Sequence, residues 1–456
     1  MKRLVSKFKS LRHREPPSNS AHDKLTVLPT PAAASSTPAK LENAKPELAA
    51  GSTPENSLIE SLPPEIRLQL LSQLALDELR ALVHASPVFH CLYLLNRKSL
   101  LRRSLAVTLC NITPDAIAAY ESSTVGFQSS RTVGKVTDFL QRYQNMRDKG
   151  AESILGDDIP IDQVAKMITF HLTTMQPLAQ LYSQWAQDAF PEATKPLSAS
   201  EHIRISRAMY RFHLYCNLYG PNWGSSSLWP EFDPEGILRS FFCEYTPWEI
   251  EEILCIASFA QNFYDQIFHI IQQDLHPTNR RFSSQGYPPT PEGAFDLDNT
   301  WTRYQLLHGT VQRGLHLLHS VSLLRTSADH EGLIHIMQEH MCPPRGGSLD
   351  EIFKMESPQV LRREKHPIDG DGKELRRDPL PFMGDDDTDV HGPPQAWTII
   401  WKGTYSNSYG WYIPDSLRRW GYVMWDADSL KRFGGNELLA HQWDACWNGE
   451  DPRYFL

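Results

Sequence analysis

The chain has 456 residues, 41% hydrophobic, 10% aromatic and 22% charged, which allows a sizeable core and two or three domains. No apolar run reaches the roughly 18 residues that a membrane span requires. Seven scattered cysteines (Cys91, Cys110, Cys216, Cys243, Cys255, Cys342, Cys446), no two of them two to four apart, exclude a disulfide scaffold and zinc ribbons or fingers, and fit a reducing compartment. The formal net charge of −9 divides into +4 over residues 1–57 and −13 over the rest, and an acidic body is a poor partner for a nucleic-acid backbone.

Residues 1–57 open with MKRLVSKFKSLRHR, in which Leu4, Phe8 and Leu11 recur at helical spacing among six basic residues and no acidic one. Three readings stay open for this head: a solvated disordered tail, a nuclear-import or anionic-membrane patch, and a mitochondrial presequence. From Thr26 to Pro54 the composition is Ala, Pro, Ser and Thr, which is expected to form an unfolded linker. Its Thr30-Pro31, Thr37-Pro38 and Thr53-Pro54 are candidate phosphorylation sites that would add negative charge to a basic segment.

From Ser61 the periodicity is mostly helical. In the segment LPPEIRLQLLSQLALDELRALVHASPVFHCL, Ile66, Leu70 and Leu74 fall four apart on one face with Leu71 beside them. Asp77 is placed to start a second helix carrying Leu79, Leu82 and Val83. Ser86-Pro87 is an N-cap followed by a first-turn proline, opening a third helix with Phe89, Leu92 and Tyr93. Three helices this short cannot bury their own apolar faces well, so the unit must lean on something else.

Further helices are expected over 161–187, 201–218 and 328–340. Capping boxes pair Ser198 with Glu201, Thr246 with Glu249 and Ser348 with Glu351. The helix opened at Pro247 places Ile250, Ile253, Leu254, Ala257, Ala260, Phe263, Ile267, Ile270 and Ile271 on a broad core stripe and should end near His276, before Pro277. A second stripe runs through Tyr304, Leu307, Val311, Leu315 and Leu318, and the best strand candidate is Trp397 to Trp401. Residues 277–300 and 362–396 read as long loops. The C-terminal part holds seven of the 12 tryptophans (Trp397, Trp401, Trp411, Trp420, Trp425, Trp443, Trp447), for which core packing outweighs a docking surface.

The candidate chemistries fail on spacing. His330 and His335 stand five apart, off the shared face that zinc needs. His316 and His319 share a face, with His308 about two turns earlier, but such histidines in a Leu-rich helix fit a core or surface role better than a metal. Taking Gly372 as the sixth position of a calcium loop puts Pro367 at the first, where a carboxylate is needed, and Asp378 at the twelfth, where a bidentate Glu is expected. The cluster Asp385, Asp386, Asp387 and Asp389 reads as a solvated acidic loop. No phosphate loop, Gly-x-Ser-x-Gly elbow or Rossmann glycine run is present, so no catalytic residue, metal ligand or cofactor is assigned. No repeat period is visible either.

The Leu-Pro-x-Glu-Ile entry, followed by Leu70, Leu74, Leu79, Leu82, Ser86 and the aromatic Phe89, resembles the F-box. Ala85 stands where that family usually has Val, Phe89 where it often has Trp, and Pro87-Val88 where a basic pair is common. The form His-Ala-Ser-Pro-Val-Phe, and the stretches 207–220 and 419–426, look like fungal F-box-like proteins. The resemblance implies that Leu62, Pro63, Ile66, Leu70, Leu74, Leu79, Leu82 and Phe89 divide between internal packing and docking on the S-phase-kinase-associated adaptor of an SCF cullin–RING ubiquitin ligase. The expectation is an all-α protein: a disordered arm over 1–57, an F-box-like module over 58–105, and a non-repetitive helical domain over 106–456 that takes a protein substrate, in cytoplasm or nucleus. The alternatives are a scaffold whose hairpin is packed internally and an enzyme whose site no motif reveals.

Overall fold

In the computed structural model the described residues are 58–149, 159–190, 196–221, 233–283, 291–344, 348–354, 369–385 and 391–455. The basic head, the linker and its Thr-Pro pairs lie outside them. Helix α1, Pro64–Ser72, begins on Pro63 and Pro64, where a missing N–H costs nothing. Helix α2, Leu76–Ala85, begins one residue before Asp77: Glu78 accepts from the Ala75 N–H at 2.9 Å, and the Asp77 carboxylate instead accepts from Gln176 Nε2 at 2.9 Å. Ser86 Oγ accepts from the Phe89 N–H at 3.3 Å and caps α3, Pro87–Leu109. The boundary expected near 105 therefore falls within a helix. The helical geometry of α3 breaks once, at Asn96 (φ −117°, ψ 15°), whose Nδ2 donates to the Leu92 carbonyl at 3.1 Å.

The body follows with α4 (Thr113–Ser123), α5 (Val133–Lys149), α6 (Ile161–Phe170) and α7 (Gln176–Gln187). The helical stretch expected over 161–187 is present, but a π-helical turn at His171–Met175 divides it. Helix α8, Ala199–Tyr219, starts on the Ser198–Glu201 box, and Glu249 caps the start of α9, Pro247–Leu275. These two helices lie side by side at the centre, with α4 against α8. The α9 stripe is buried as expected except for Ile270, which is 45% exposed; Phe268 and Tyr264 occupy the inner face in that last part.

The second stripe is carried by two helices, α10 (Thr300–Val311) and α11 (Leu315–Thr326), because Gly314 at φ +78° ends one before the other starts. Helix α12, His330–His340, follows and packs with α10 on α9. Ser348 and Glu351 complete the third capping box at a short helix, Leu349–Lys354.

The chain is all-α; among the described residues the only β feature is one antiparallel bridge between Pro379 and Thr404. The strand expected at Trp397 to Trp401 is instead the helix Gln395–Ile400 with its cap residue. Trp397, Ile400 and Trp401 stand at helical spacing and are buried, so what looked like alternation is a short helix with most of its side chains inside. The loop expected over 362–396 holds a helix at Asp369–Arg376, and the one over 277–300 holds a 3-10 turn at Arg280–Phe282. The last helix, α13 at Gly435–Trp447, closes on Gln395–Ile400. Trp397, Trp401, Trp420, Trp425, Trp443 and Trp447 are all buried, with Trp401 and Trp443 edge to face at 5.1 Å, so the tryptophans pack inside. No described helix is long and apolar enough to cross a membrane.

Candidate functional site

The N-terminal three-helix module separates the sequence-selected residues into two groups. Leu79 and Phe89 lie in a buried cluster with Leu71, Val83 and Leu100, and Leu70, Leu74 and Leu82 pack against it half-buried. Leu62, Pro63 and Ile66 are not in that cluster: Leu62 is half-buried, Pro63 exposed and Ile66 46% exposed. Leu94 and Leu95 on α3 are also open to solvent, at 57% and 83%. Two bonds tie the turn between α1 and α2 to the far end of α3: Ser104 Oγ donates to the Leu74 carbonyl at 2.8 Å, and the Leu76 N–H donates to Thr108 Oγ1 at 2.9 Å. The far end of α3 packs in turn on α6 and α4. The apolar entry of the module therefore stays at the surface while its interior is filled by residues from all three helices.

Sequence reasoning missed a buried ionic network at the centre of the body. On α8, Arg211 Nε donates to Asp115 Oδ1 at 2.9 Å and its Nη1 lies 2.9 Å from Glu249 Oε1, while its guanidinium stands 4.5 Å over the Tyr245 ring. Arg207 donates from Nε and Nη2 to both Glu252 oxygens, at 3.0 and 2.6 Å. Tyr143 donates to Asp115 as well. Burial pushes the Glu249 carboxyl up, but Arg211, the hydrogen bond from His391, Arg207 and Arg147 outweigh it and hold it well below the usual carboxylate range. Nearby, Arg418 grips both oxygens of Glu251, which also accepts from the Gly410 N–H at 2.9 Å. Asp385, expected in a solvated loop, pairs with buried Arg204 at 2.5 Å and caps Ala427 N–H at 2.8 Å; Asp386, Asp387 and Asp389 lie outside the described residues. Each of the network's carboxylates is held by a guanidinium, so the arrangement fixes helices against one another; at Glu251 burial still outweighs Arg418 and raises the carboxyl above its ordinary value.

The histidines scatter. His308 packs on Tyr304 at 4.2 Å, His330 Nε2 lies 3.0 Å from Asp274, and His316 faces His213 at 5.3 Å and Phe170 at 4.8 Å. The break at Gly314 takes His308 off the helix that carries His316 and His319. Among the described residues the one group spaced for a metal is His276, Asp296 and Asp298, a partly exposed set in which His276 Nδ1 already meets Thr278 Oγ1 at 2.7 Å. Comparison with protein-family models, with curated proteins and with solved structures gives no match for the chain.

Proposed function

We propose that the chain is an F-box-type adaptor: the module over 62–89 docks on the S-phase-kinase-associated subunit of an SCF cullin–RING ubiquitin ligase, and the helical body presents a protein substrate. In this reading the chain contributes no catalytic group; ubiquitin transfer takes place on the partner subunits, in cytoplasm or nucleus. The observation that carries it is the division of the F-box-like residues, with Phe89 and Leu79 inside and Pro63 and Ile66 at the surface. A hairpin used only for internal packing would cover Ile66, and exposed apolar side chains on α1 (Ile66) and α3 (Leu94, Leu95) suit a protein partner. The test is co-purification of the full chain with the adaptor and cullin, expected for the wild type and lost in the variant Leu62→Ala with Pro63→Ala. Recovery of the folded chain free of adaptor, from cells where the adaptor is abundant, overturns the reading and leaves the module as a packing element of a scaffold.

A further inference from the structure

A cleft of about 410 Å3 opens between α4 and the stretch from α6 through the π-helical turn, with α8 and α11 contributing one residue pair and one residue. Volumes of this size suit small-molecule ligands, and π turns inside helices recur at functional sites. Its buried lining is mostly apolar: Ala116, Ala119, Met167 and Tyr210 are each less than 5% exposed. Its polar lining is Lys166, His213 and His316, the phenols of Tyr120 and Tyr210 and several Ser and Thr hydroxyls, with no carboxylate.

The protonation states narrow the ligand. His213 is 3% exposed, and its Nδ1 accepts from the Leu315 N–H at 3.3 Å, so the ring's proton sits on Nε2. Burial and the neighbouring His316 hold its pKa down at about 3, which leaves a neutral donor. That Nε2–H has no hydrogen-bond partner among the described residues. Burial and His319 also keep His316 below its ordinary value. Lys166 is exposed and makes no ion pair with a described residue. The cleft thus offers a single full positive charge, a neutral donor, and apolar surface that includes Phe170, whose ring stacks on His213 at 5.0 Å. A cation is repelled by Lys166, and an inorganic anion gains nothing from the apolar lining.

We propose that this cleft binds a small monocarboxylate with an apolar body, an arylalkyl or medium-chain acid, whose charge is met by Lys166 and whose body covers Met167 and Phe170. The site lies outside the F-box-like module and does not rest on the adaptor reading. The test uses the full chain and titrates 4-phenylbutyrate, its neutral amide and inorganic phosphate by calorimetry. The acid is expected to bind about 5-fold more tightly than the amide, as a partly exposed ion pair provides, with phosphate not binding. Lys166→Gln, a change at an exposed position, should bring the acid to the level of the amide and leave the amide unaltered; Ala119→Met, which fills the cleft, should remove both. Equal binding of acid and amide, an unchanged ratio in Lys166→Gln, competition by phosphate, or no binding of the acid at millimolar concentration each overturns the proposal.

Discussion

Replacing Arg211 by Met isolates what the ionic network contributes to stability. The side chains of Arg211, Asp115 and Glu249 are 1%, 3% and 2% exposed, so the substitution leaves two carboxylates behind in the interior. Glu249 keeps Arg207 at 3.7 Å and Arg147 at 3.8 Å, whereas Asp115 keeps only the Tyr143 hydroxyl among the partners described above. Removing one partner of a buried pair costs about 3–5 kcal/mol. We therefore expect Arg211→Met to lower the unfolding free energy by that amount in urea titrations at neutral pH, followed by helical circular dichroism. Adding Asp115→Asn removes the stranded charge and should return part of the loss. The pH dependence has a fixed sign. A carboxyl held low in the folded chain stabilises it above the ordinary glutamate value of about 4.5, and that contribution goes as pH falls through the lower folded value. In Arg211→Met Glu249 loses the strongest of the charges that hold it low and protonates more readily, so the gap between variant and wild type narrows as the pH is taken from neutral toward that value. A loss below about 1 kcal/mol, or a double variant no more stable than the single one, would refute the argument.

Two further outcomes follow from packing. Phe89→Ala should destabilise the module by about 3–5 kcal/mol and open α1–α3 to limited proteolysis, whereas Ile66→Ala should stay within about 0.5 kcal/mol, as urea unfolding would show. Gly314→Ala forces a side chain into φ +78° and sets its Cβ 2.9 Å from His213 Nδ1 and 3.1 Å from Cys216 Cβ. A loss of about 1–3 kcal/mol is expected there, read as a lowered thermal midpoint.

The parts of the fold written in local spacing were legible. The α9 stripe, the start signals at Ser86, Ser198 and Ser348, and the filling of the module by Leu79 and Phe89 each depend on residues within a few turns. The ionic network depends on residues far apart: Arg207 meets Glu252 45 positions on, Arg211 meets Asp115 96 positions back, and Arg204 meets Asp385 181 positions on. On helical spacing alone, Arg204, Arg207 and Arg211 look like an ordinary solvated face. A signal was present nonetheless. Leu214 and Tyr215 flank the arginine strip and Leu218 falls within it, so apolar residues close in on it from both flanks and from its C-terminal end, and arginines so hemmed in had to find acids inside. The Trp397 segment misled for the opposite reason, because five residues of which only Ile399 is partly open carry no period to separate strand from helix. The cleft is assembled from α4, α6, α8 and α11, and no one stretch of sequence displays it.

Helix α3 has 23 residues, about 34 Å of helix at the usual rise, broken once at Asn96. It belongs to the module through Phe89 and Leu100 and to the body through its packing on α6 and α4. A molecule seated on the Ile66 face is therefore carried at a set bearing to one seated beside Lys166, without a linker to swivel between them. Asn96, the one break in the helical geometry, is spanned by the module, since Leu100, Ser104 and Thr108 beyond it also meet α1, α2 and the turn between them. Its side-chain amide bonds back to the Leu92 carbonyl where the backbone departs from helical angles. Contacts with the module thus stand on both sides of the break and hold the two faces at one bearing across it.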